Sequence, residues 1–145
     1  MKIVIDQSGD YGGIEIIVKC KTYNDEVAAI LDRIKTNENR ILAFIADKTF
    51  VIDTGEILYF ESVDKKCFVY TENQVYETAF RLYELEHMLS TKGFFRATKS
   101  SIVNIAKIKS IQSSFNSVLT LEMENGENLH VSRQYAPILK ERLGM

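Results

Sequence analysis

The chain is 145 residues long, which suits one domain of ordinary size with a small extension. Hydrophobic residues make up 46% of it, charged residues make up 26%, and the formal net charge is −2. This composition is typical of a soluble globular protein, and the total charge gives no sign of a polyanion partner. The longest apolar runs, such as 41–46, are too short to span a bilayer, so no membrane-spanning helix is predicted.

The N-terminus lacks the layout of a secretory signal peptide, because the apolar stretch at 3–5 ends at Asp6. The two cysteines, Cys20 and Cys67, have neither metal-ligand spacing nor a paired motif. Free thiols of this kind are typical of a reducing compartment. We therefore expect a cytoplasmic protein.

The first part of the chain predicts two strands followed by a helix. β-Branched residues at 3–5 and 14–21 are typical of strands, and a glycine-rich turn separates them. Asn24 is a suitable N-cap, because the two acidic residues after it suit the first turn of a helix. The apolar residues of this helix fall on one face: Val27, Ile30, Leu31 and Ile34. We expect residues 1–43 to form a small β-β-α unit that packs on the rest of the chain or on a second copy.

From residue 40 onward the pattern predicts mostly short strands. Turn residues separate many of them, as at 53–55, 72–73 and 125–126. The predicted strands are 41–45, 49–52, 57–61, 67–71, 74–78, 94–98, 108–112, 118–124 and 128–132.

Two helices are predicted to interrupt these strands. Thr78 is a candidate N-cap for a helix over 79–90, and Gly93 lies just past its end. Its apolar face consists of Leu82, Leu85 and Leu89. A second helix is predicted over 135–143, with Pro137 in its first turn.

A window from 87 to 121 contains no Asp or Glu, although the whole chain is slightly acidic. Its basic residues are Lys92, Arg96, Lys99, Lys107 and Lys109. In 94–105 they alternate with hydroxyl donors and apolar residues, a mixture that suits contacts with phosphates. The alternative is a solvated basic face on a β-rich protein.

Motifs of known enzyme classes are absent from the sequence. There is no glycine-rich phosphate loop, no zinc-protease motif, no pair of cysteines at redox spacing and no nucleophile elbow. His87 and His130 are the only histidines; we expect both at the surface, with a ligand contact by His130 as the alternative. We therefore expect no catalysis, metal, cofactor or small-molecule substrate.

Four stretches resemble the LytTR-type DNA-binding domains. The run 94–108 is similar to that family's signature Phe-x-Arg-x-His-basic-Ser-x-aliphatic-Val-Asn, followed by an Ile-rich strand. Residues 57–62 resemble its Ile-x-Tyr-Ile/Phe-Glu strand, and 82–89 resemble its Leu-x-x-Leu-Glu-x-x-Leu helix. Residues 131–140 resemble its C-terminal segment, which begins Val-Ser-Arg and continues with a basic residue and Tyr. The four matches occur in order over about residues 44–143.

The resemblance implies a mainly β fold, α+β overall. In that family small antiparallel sheets stack roughly in line into an elongated domain with one or two short helices, here over residues 44–145. It also implies how DNA is bound, because loops between the strands enter successive major grooves on one face of the duplex.

Carried over to this sequence, the resemblance implies three DNA-binding loops. Their residues are Lys65 and Lys66 in the first, Lys99, Ser100 and Ser101 in the second, and Arg133, Gln134 and Tyr135 in the third. Lys99 and Arg133 are the best candidates for phosphate or guanine contacts. Gln134 stands where the family has Arg or Lys, and it can pair with adenine. Thr98 replaces the His of the signature, so a base contact at that position is less supported.

Several of these positions also have a structural interpretation. Arg96 is expected to form a salt bridge with Glu61 or Glu84 rather than to meet DNA, and Asn104 is expected to hold a turn. Lys65 and Lys66 follow Asp64 and fit a solvated turn equally well. Core positions rather than base-stacking platforms are expected for Phe94, Phe95, Ile102 and Val103.

The sequence as a whole resembles the stand-alone bacterial LytTR regulators, because residues 1–43 are too few for the receiver domain that most members of that family carry. We expect a homodimer that binds repeated sites on double-stranded DNA, with residues 1–43 serving dimerisation or partner binding. For some stand-alone relatives that partner is a small membrane protein. The rival hypothesis is a non-catalytic interaction module that uses the 87–121 window to dock an acidic protein. The sequence does not indicate the operator, the regulated genes or the signal.

Overall fold

The computed structural model describes residues 1–116 and 118–145, apart from the side chains of residues 35–38. The chain divides into two compact units, Met1–Thr36 and Asn37–Met145. The helices are α1 (Asp25–Asn39), α2 (Leu82–Met88) and α3 (Ala136–Leu143). The strands are β1 (Arg40–Ile45), β2 (Lys48–Asp53), β3 (Ile57–Val63), β4 (Lys66–Thr71), β5 (Val75–Thr78), β6 (Phe94–Thr98), β7 (Ser101–Asn104), β8 (Ile108–Ser113), β9 (Leu119–Met123) and β10 (Asn128–Val131).

The first unit lacks the two strands that its sequence predicts. Residues 1–24 are all described, and they contain neither a helix nor a strand, so the predictions for 3–5 and 14–21 are wrong. A strand needs a neighbour to pair its backbone groups, and local β-propensity cannot replace that neighbour. The predicted helix is confirmed, because the backbone N–H of Val27 donates to Oδ1 of Asn24 over 3.1 Å. Its apolar face, including Ile30 and Leu31, is half-buried.

The second unit consists mainly of two antiparallel sheets, which confirms the predicted β-rich fold. The larger sheet has seven strands in the order β2-β1-β5-β4-β3-β7-β6, and the smaller has three in the order β10-β9-β8. Each of the strands predicted after residue 40 is present with similar bounds. Strand β7 was not predicted, and its first residue, Ser101, was assigned to a loop; the strand pairs with both β3 and β6. The predicted boundary after residue 43, between the N-terminal extension and the domain over residues 44–145, stays a prediction.

Strand β3 is buried on both faces because it separates two hydrophobic cores. Ile57 and Phe60 belong to the core that α2 covers, whereas Leu58 and Tyr59 belong to the core between the two sheets and α3. Two successive residues share a face because the register with β4 shifts between Ile57 and Tyr59, as at a β-bulge. In the neighbouring strands β6 and β7, successive residues alternate more regularly between the two cores. The predicted burial of Phe94, Phe95, Ile102 and Val103 is confirmed.

Helix α2 begins later than its sequence predicts. Thr78 is not its N-cap: this residue ends β5, and its hydroxyl donates to the carbonyl of Leu42 over 3.1 Å. The helix begins at Leu82 instead, and Glu84 accepts a hydrogen bond from the backbone N–H of Arg81 over 2.9 Å. Gly93 has a φ of 79°, but a turn separates it from the helix end at Met88. Helix α3 has the predicted proline at its start.

Candidate nucleic-acid interface

Two of the predicted loops lie side by side at one edge of the larger sheet. The turn between β3 and β4 is centred on Asp64 and Lys65, and the turn between β6 and β7 is centred on Lys99 and Ser100. Because β3 and β7 are antiparallel neighbours, the end of β3 lies beside the beginning of β7. The backbone N–H of Ser62, near the end of β3, donates to the carbonyl of Ser100 over 2.8 Å, which links the end of β3 to the β6–β7 turn.

The third predicted loop is attached to the same edge. The backbone N–H of Ser132, which follows β10, donates to the carbonyl of Ala97 in β6 over 2.9 Å. Because β6 is the last strand of the larger sheet, carbonyls on its outer side are available to partners outside the sheet, and Ala97 lies where its register with β7 shifts. This hydrogen bond therefore ties the third loop to the strand that leads into the second.

The β3–β4 turn has the geometry that favours a tight hairpin. Asp64 and Lys65 have φ values of 50° and 66°. Two central residues with positive φ match the right-handed twist of the flanking strands. Asp tolerates this conformation well, whereas Lys does so at a cost of about 1–2 kcal/mol. Lys65 lies in the turn and Lys66 is the first residue of β4 rather than a loop residue; both side chains are exposed.

Six of the eight predicted site residues are exposed, and two are half-buried. The exposed ones are Lys65, Lys66, Lys99, Ser100, Arg133 and Gln134. Ser101 lies in β7 rather than in the loop, and its hydroxyl is 2.8 Å from that of Thr98. The ring of Tyr135 packs edge-on against Phe95, with centroids 6.5 Å apart. These two residues therefore have a clear structural role beside any contact with DNA.

The acid-free window carries less free positive charge than its sequence indicates. Arg96 pairs with Glu86, Lys107 with Glu124 and Lys109 with Glu122, so acidic residues flanking the window neutralise three of its five basic residues. Lys99 is in none of the ion pairs among the described residues, and the same holds for Lys65, Lys66 and Arg133. Unpaired cations are thus found on all three loops.

Arg96 and Asn104 have internal partners, as expected, although the partner of Arg96 differs from the prediction. Arg96 binds Glu86 of α2 rather than Glu61 or Glu84, because α2 lies next to β6 in the fold. Asn104 is buried; its Oδ1 accepts from the backbone N–H of Ala106 over 3.1 Å, and its Nδ2 donates to the carbonyl of Ile57 over 2.8 Å.

Arg81 is a cation near the first loop that the sequence did not single out. The register that places Cys67 opposite Thr78 brings the segment after β5 beside the β3–β4 hairpin. Lys65, Lys66, Glu77 and Arg81 line a shallow groove there. Arg81 was assigned to the interior of a helix, and only the strand register reveals its position. Cys67 lies beneath this groove, and burial raises the pKa of its thiol to about 11.

Histidines and acidic residues do not form a separate site. His130 is exposed as predicted, and its Nδ1 lies 3.4 Å from the hydroxyl of Thr120. Within the residues that the structure describes, no three His, Cys, Asp or Glu side chains are grouped as metal ligands. In the same part of the chain, no helix is long and apolar enough to cross a membrane.

Comparison with known protein families agrees with this geometry. The model of the LytTr DNA-binding domain family matches residues 47–144. The chain belongs to the LytTR family. The matched residues run from β2 to α3, and the resemblance found in the four sequence motifs is confirmed.

A solved LytTR structure shows the same fold. The LytTr DNA-binding domain of a Bacillus cereus protein described as a methyl-accepting/DNA response regulator superposes with a TM-score of 0.70 at 31% identity. The match covers 74% of this chain and 98% of that one. The mainly antiparallel architecture is thus that of a LytTR domain.

Two similar full-length proteins differ in how much of them this LytTR chain spans. The sensory transduction protein LytT of Bacillus subtilis is 29% identical over 129 residues, which are 89% of this chain but only 54% of that protein. An uncharacterized HTH-type transcriptional regulator of Staphylococcus aureus is 27% identical over 124 residues, 84% of each chain. The chain thus spans about half the length of the first relative and most of the second.

Proposed function

We propose that this LytTR protein is a sequence-specific transcription regulator that inserts its three loops into successive major grooves of a repeated operator site. The observation that carries the proposal is the attachment of three exposed basic loops to one sheet edge, through the Ser62–Ser100 and Ser132–Ala97 hydrogen bonds. Relatives described as a sensory transduction protein and as a transcriptional regulator support the same role.

The chemistry of the exposed side chains suits some of them to contacts with bases and others to contacts with phosphates. Lys99 and Arg133 are long donors outside every ion pair of the described residues, so they can bind guanine or phosphate oxygens. Gln134 offers the amide that pairs with adenine. Lys65 and Lys66 are suited to contacts with DNA phosphates. Such contacts position a protein on the duplex but do not depend on the base sequence. As a regulator of this kind the protein would act in the bacterial cytoplasm.

Selection of bound fragments from random duplex DNA tests the proposal. We expect enrichment of a paired motif with half-sites about one helical turn apart. Affinity for that motif should fall steeply with salt, since phosphate contacts release counterions. Enrichment of no motif would contradict sequence-specific binding. A single unpaired motif would contradict the repeated operator.

We propose in addition that residues 1–43 join two copies of the chain. The support is a concentration of exposed apolar residues in 1–24, a stretch whose sequence favours strands but in which the structure has none. After Met1, those most exposed are Ile3, Ile5, Ile14 and Ile17. A second copy could supply the missing neighbour, since pairing satisfies backbone groups and removes apolar surface from water.

Sedimentation of the full-length chain tests this second proposal. Replacing Ile14 and Ile16 by Lys should convert a dimer into a monomer and abolish cooperative binding to paired sites. The control variant replaces Val51 and Val75 by Lys; both are exposed residues of the larger sheet outside residues 1–43, so the dimer should stay intact. An unchanged dimer in the first variant would contradict the proposal and assign residues 1–43 to another partner, such as a small membrane protein.

A further inference from the structure

All three nitrogens of the Arg96 guanidinium are engaged inside the protein. Nε donates to the carbonyl of Thr98 over 2.8 Å, and Nη2 donates to the carbonyl of Lys99 over 2.6 Å. Nη1 binds Oε2 of Glu86, which comes from α2. Only 18% of the Arg96 side chain is exposed. Each guanidinium nitrogen therefore already has a partner within the protein, and this side chain is poorly placed to contact a ligand as well.

The two carbonyls that Arg96 binds belong to the β6–β7 turn. Turn carbonyls lie outside the ladder of strand hydrogen bonds, so they need another partner or remain free to rotate. A guanidinium presents its donors in one rigid plane, and by binding two successive carbonyls it fixes the relative orientation of the peptide groups on both sides of Lys99. The ammonium of a lysine has no such fixed geometry.

The opposite side of the turn is held by Thr98. Its Oγ1 accepts a hydrogen bond from the backbone N–H of Ser100 over 3.1 Å and lies 2.8 Å from the hydroxyl of Ser101. Thr98 thus has a structural role where the family signature has His. Between these two supports only the Lys99 and Ser100 side chains remain exposed.

We propose that Arg96, anchored by Glu86, is a positioning residue for DNA recognition. It presets the Lys99–Ser100 turn in the conformation that DNA binds, and it does not contact DNA itself. The inference rests on the proposed function of that turn. Fixing a loop before binding removes the entropic cost of ordering it on the duplex, so the benefit is seen in specific affinity. The ion pair also neutralises Glu86, which would otherwise repel a phosphate near the turn.

Three substitutions in the full-length protein separate positioning from charge. Arg96→Gln removes both the charge and the planar set of donors of the guanidinium. Arg96→Lys keeps the charge but loses the planar donors, and Glu86→Gln removes the ion pair with Arg96. The matched control is Lys107→Gln, which also removes one ion-paired cation of the same window. We expect both Arg96 variants to weaken binding to the selected duplex about tenfold or more, with a smaller loss for Glu86→Gln and little loss for Lys107→Gln. Binding to a random duplex should change little in Arg96→Lys.

A double-mutant cycle with Lys99 supplies a result that a purely structural role would not give. If Arg96 acts by placing Lys99, then Arg96→Gln should cost little affinity once Lys99 is already Ala. Amide exchange gives an independent measure that needs no DNA. In Arg96→Gln the Ser100 amide should lose protection, whereas the amides of Val69 and Val103 in the buried strands should keep theirs.

The outcomes distinguish this inference from the function on which it rests. Full affinity in Arg96→Lys, additive losses in the cycle with Lys99, or unchanged exchange at Ser100 would each overturn the positioning role alone. A wild-type protein that does not prefer the selected duplex over a random one would overturn the proposed function and the positioning role together.

Discussion

The backbone N–H of Ser132 donates to the carbonyl of Ala97 over 2.9 Å, and this single bond ties the loop before α3 to the bulge in β6. The carbonyl of Ser132 in turn accepts from the backbone N–H groups of Tyr135 and Ala136. Ser132 therefore links the edge of the larger sheet to the first turn of α3. The position of Arg133 relative to Lys99 depends on this link.

Replacing Ser132 by Pro should weaken specific DNA binding, because proline removes the N–H that reaches Ala97. The lost hydrogen bond should also lower the free energy of unfolding by about 1 kcal/mol. Affinity for the selected duplex and urea unfolding measure the two effects. Ser132→Ala keeps the backbone N–H and is the matched control. Equal affinities for the two variants would show that this bond does not position Arg133.

Asn104 is expected to be a major contributor to stability. Its buried side chain bridges the carbonyl of Ile57 and the backbone N–H of Ala106, so Asn104→Ala leaves both groups without their partner. We expect a loss of about 2–4 kcal/mol in the free energy of unfolding, measured by urea denaturation. Asn125→Ala removes one exposed bond to the backbone N–H of Glu127 and should cost less than about 1 kcal/mol. Similar losses at both positions would contradict this assignment.

The buried thiol of Cys67 should make the protein less stable at alkaline pH. Its pKa is raised by burial to about 11 from an ordinary value of 9.0, so the folded state holds this proton more tightly than the unfolded state. The contribution is complete below pH 9 and is lost as the pH rises toward 11. By pH 10 the loss should be about 1 kcal/mol.

Unfolding of Cys67→Ala across the same pH range isolates this contribution, since the variant should lack the loss between pH 9 and 10. Cys20→Ala is the control, because that thiol is exposed. Tyr59 adds a loss in the same direction at higher pH, since burial and its hydrogen bond to Glu127 raise the pKa of its hydroxyl. Identical pH profiles for wild type and Cys67→Ala would refute the thiol's contribution.

Arg81 is expected to contact the DNA backbone, because it shares a groove with Lys65 and Lys66 beside the first loop. Arg81→Ala should weaken binding to all DNA sequences alike. It should also reduce the slope of the logarithm of the binding constant against the logarithm of salt concentration by about one. The sequence preference should stay the same. Tyr83→Ala, an exposed neighbour in α2, is the control. A changed motif in the selection, or an unchanged salt slope, would argue against a phosphate contact.

The sequence predicted elements whose signal is local or strongly alternating. The strands from residue 41 onward, the N-cap at Asn24 and the proline of α3 are of this kind, and the family motifs placed the three loops. The predictions of strands at 3–5 and 14–21 were wrong, because local β-propensity does not show whether a neighbouring strand exists. Strand β7 was missed because Ser101 looks like a loop residue until its partners Glu61 and Thr98 are known.

Features that depend on distant contacts could not be predicted from the sequence. Arg96 had several acidic residues within reach, and only the packing of α2 beside β6 selects Glu86. The acid-free window looked uniformly basic because Glu122 and Glu124 lie just outside it, and the pairing of β8 with β9 brings them back to Lys109 and Lys107.

The measurement that tests the central claim most directly is the affinity of two double variants for the selected duplex. Lys99→Ala with Arg133→Ala removes two unpaired cations from the proposed interface, whereas Lys107→Ala with Lys109→Ala removes two ion-paired cations of the same charge. We expect the first variant to lose about 100-fold or more in specific affinity, since each good base contact is worth about 1–3 kcal/mol, and the second to lose little. Equal losses in the two variants would contradict the claim that the three loops at this sheet edge read the DNA.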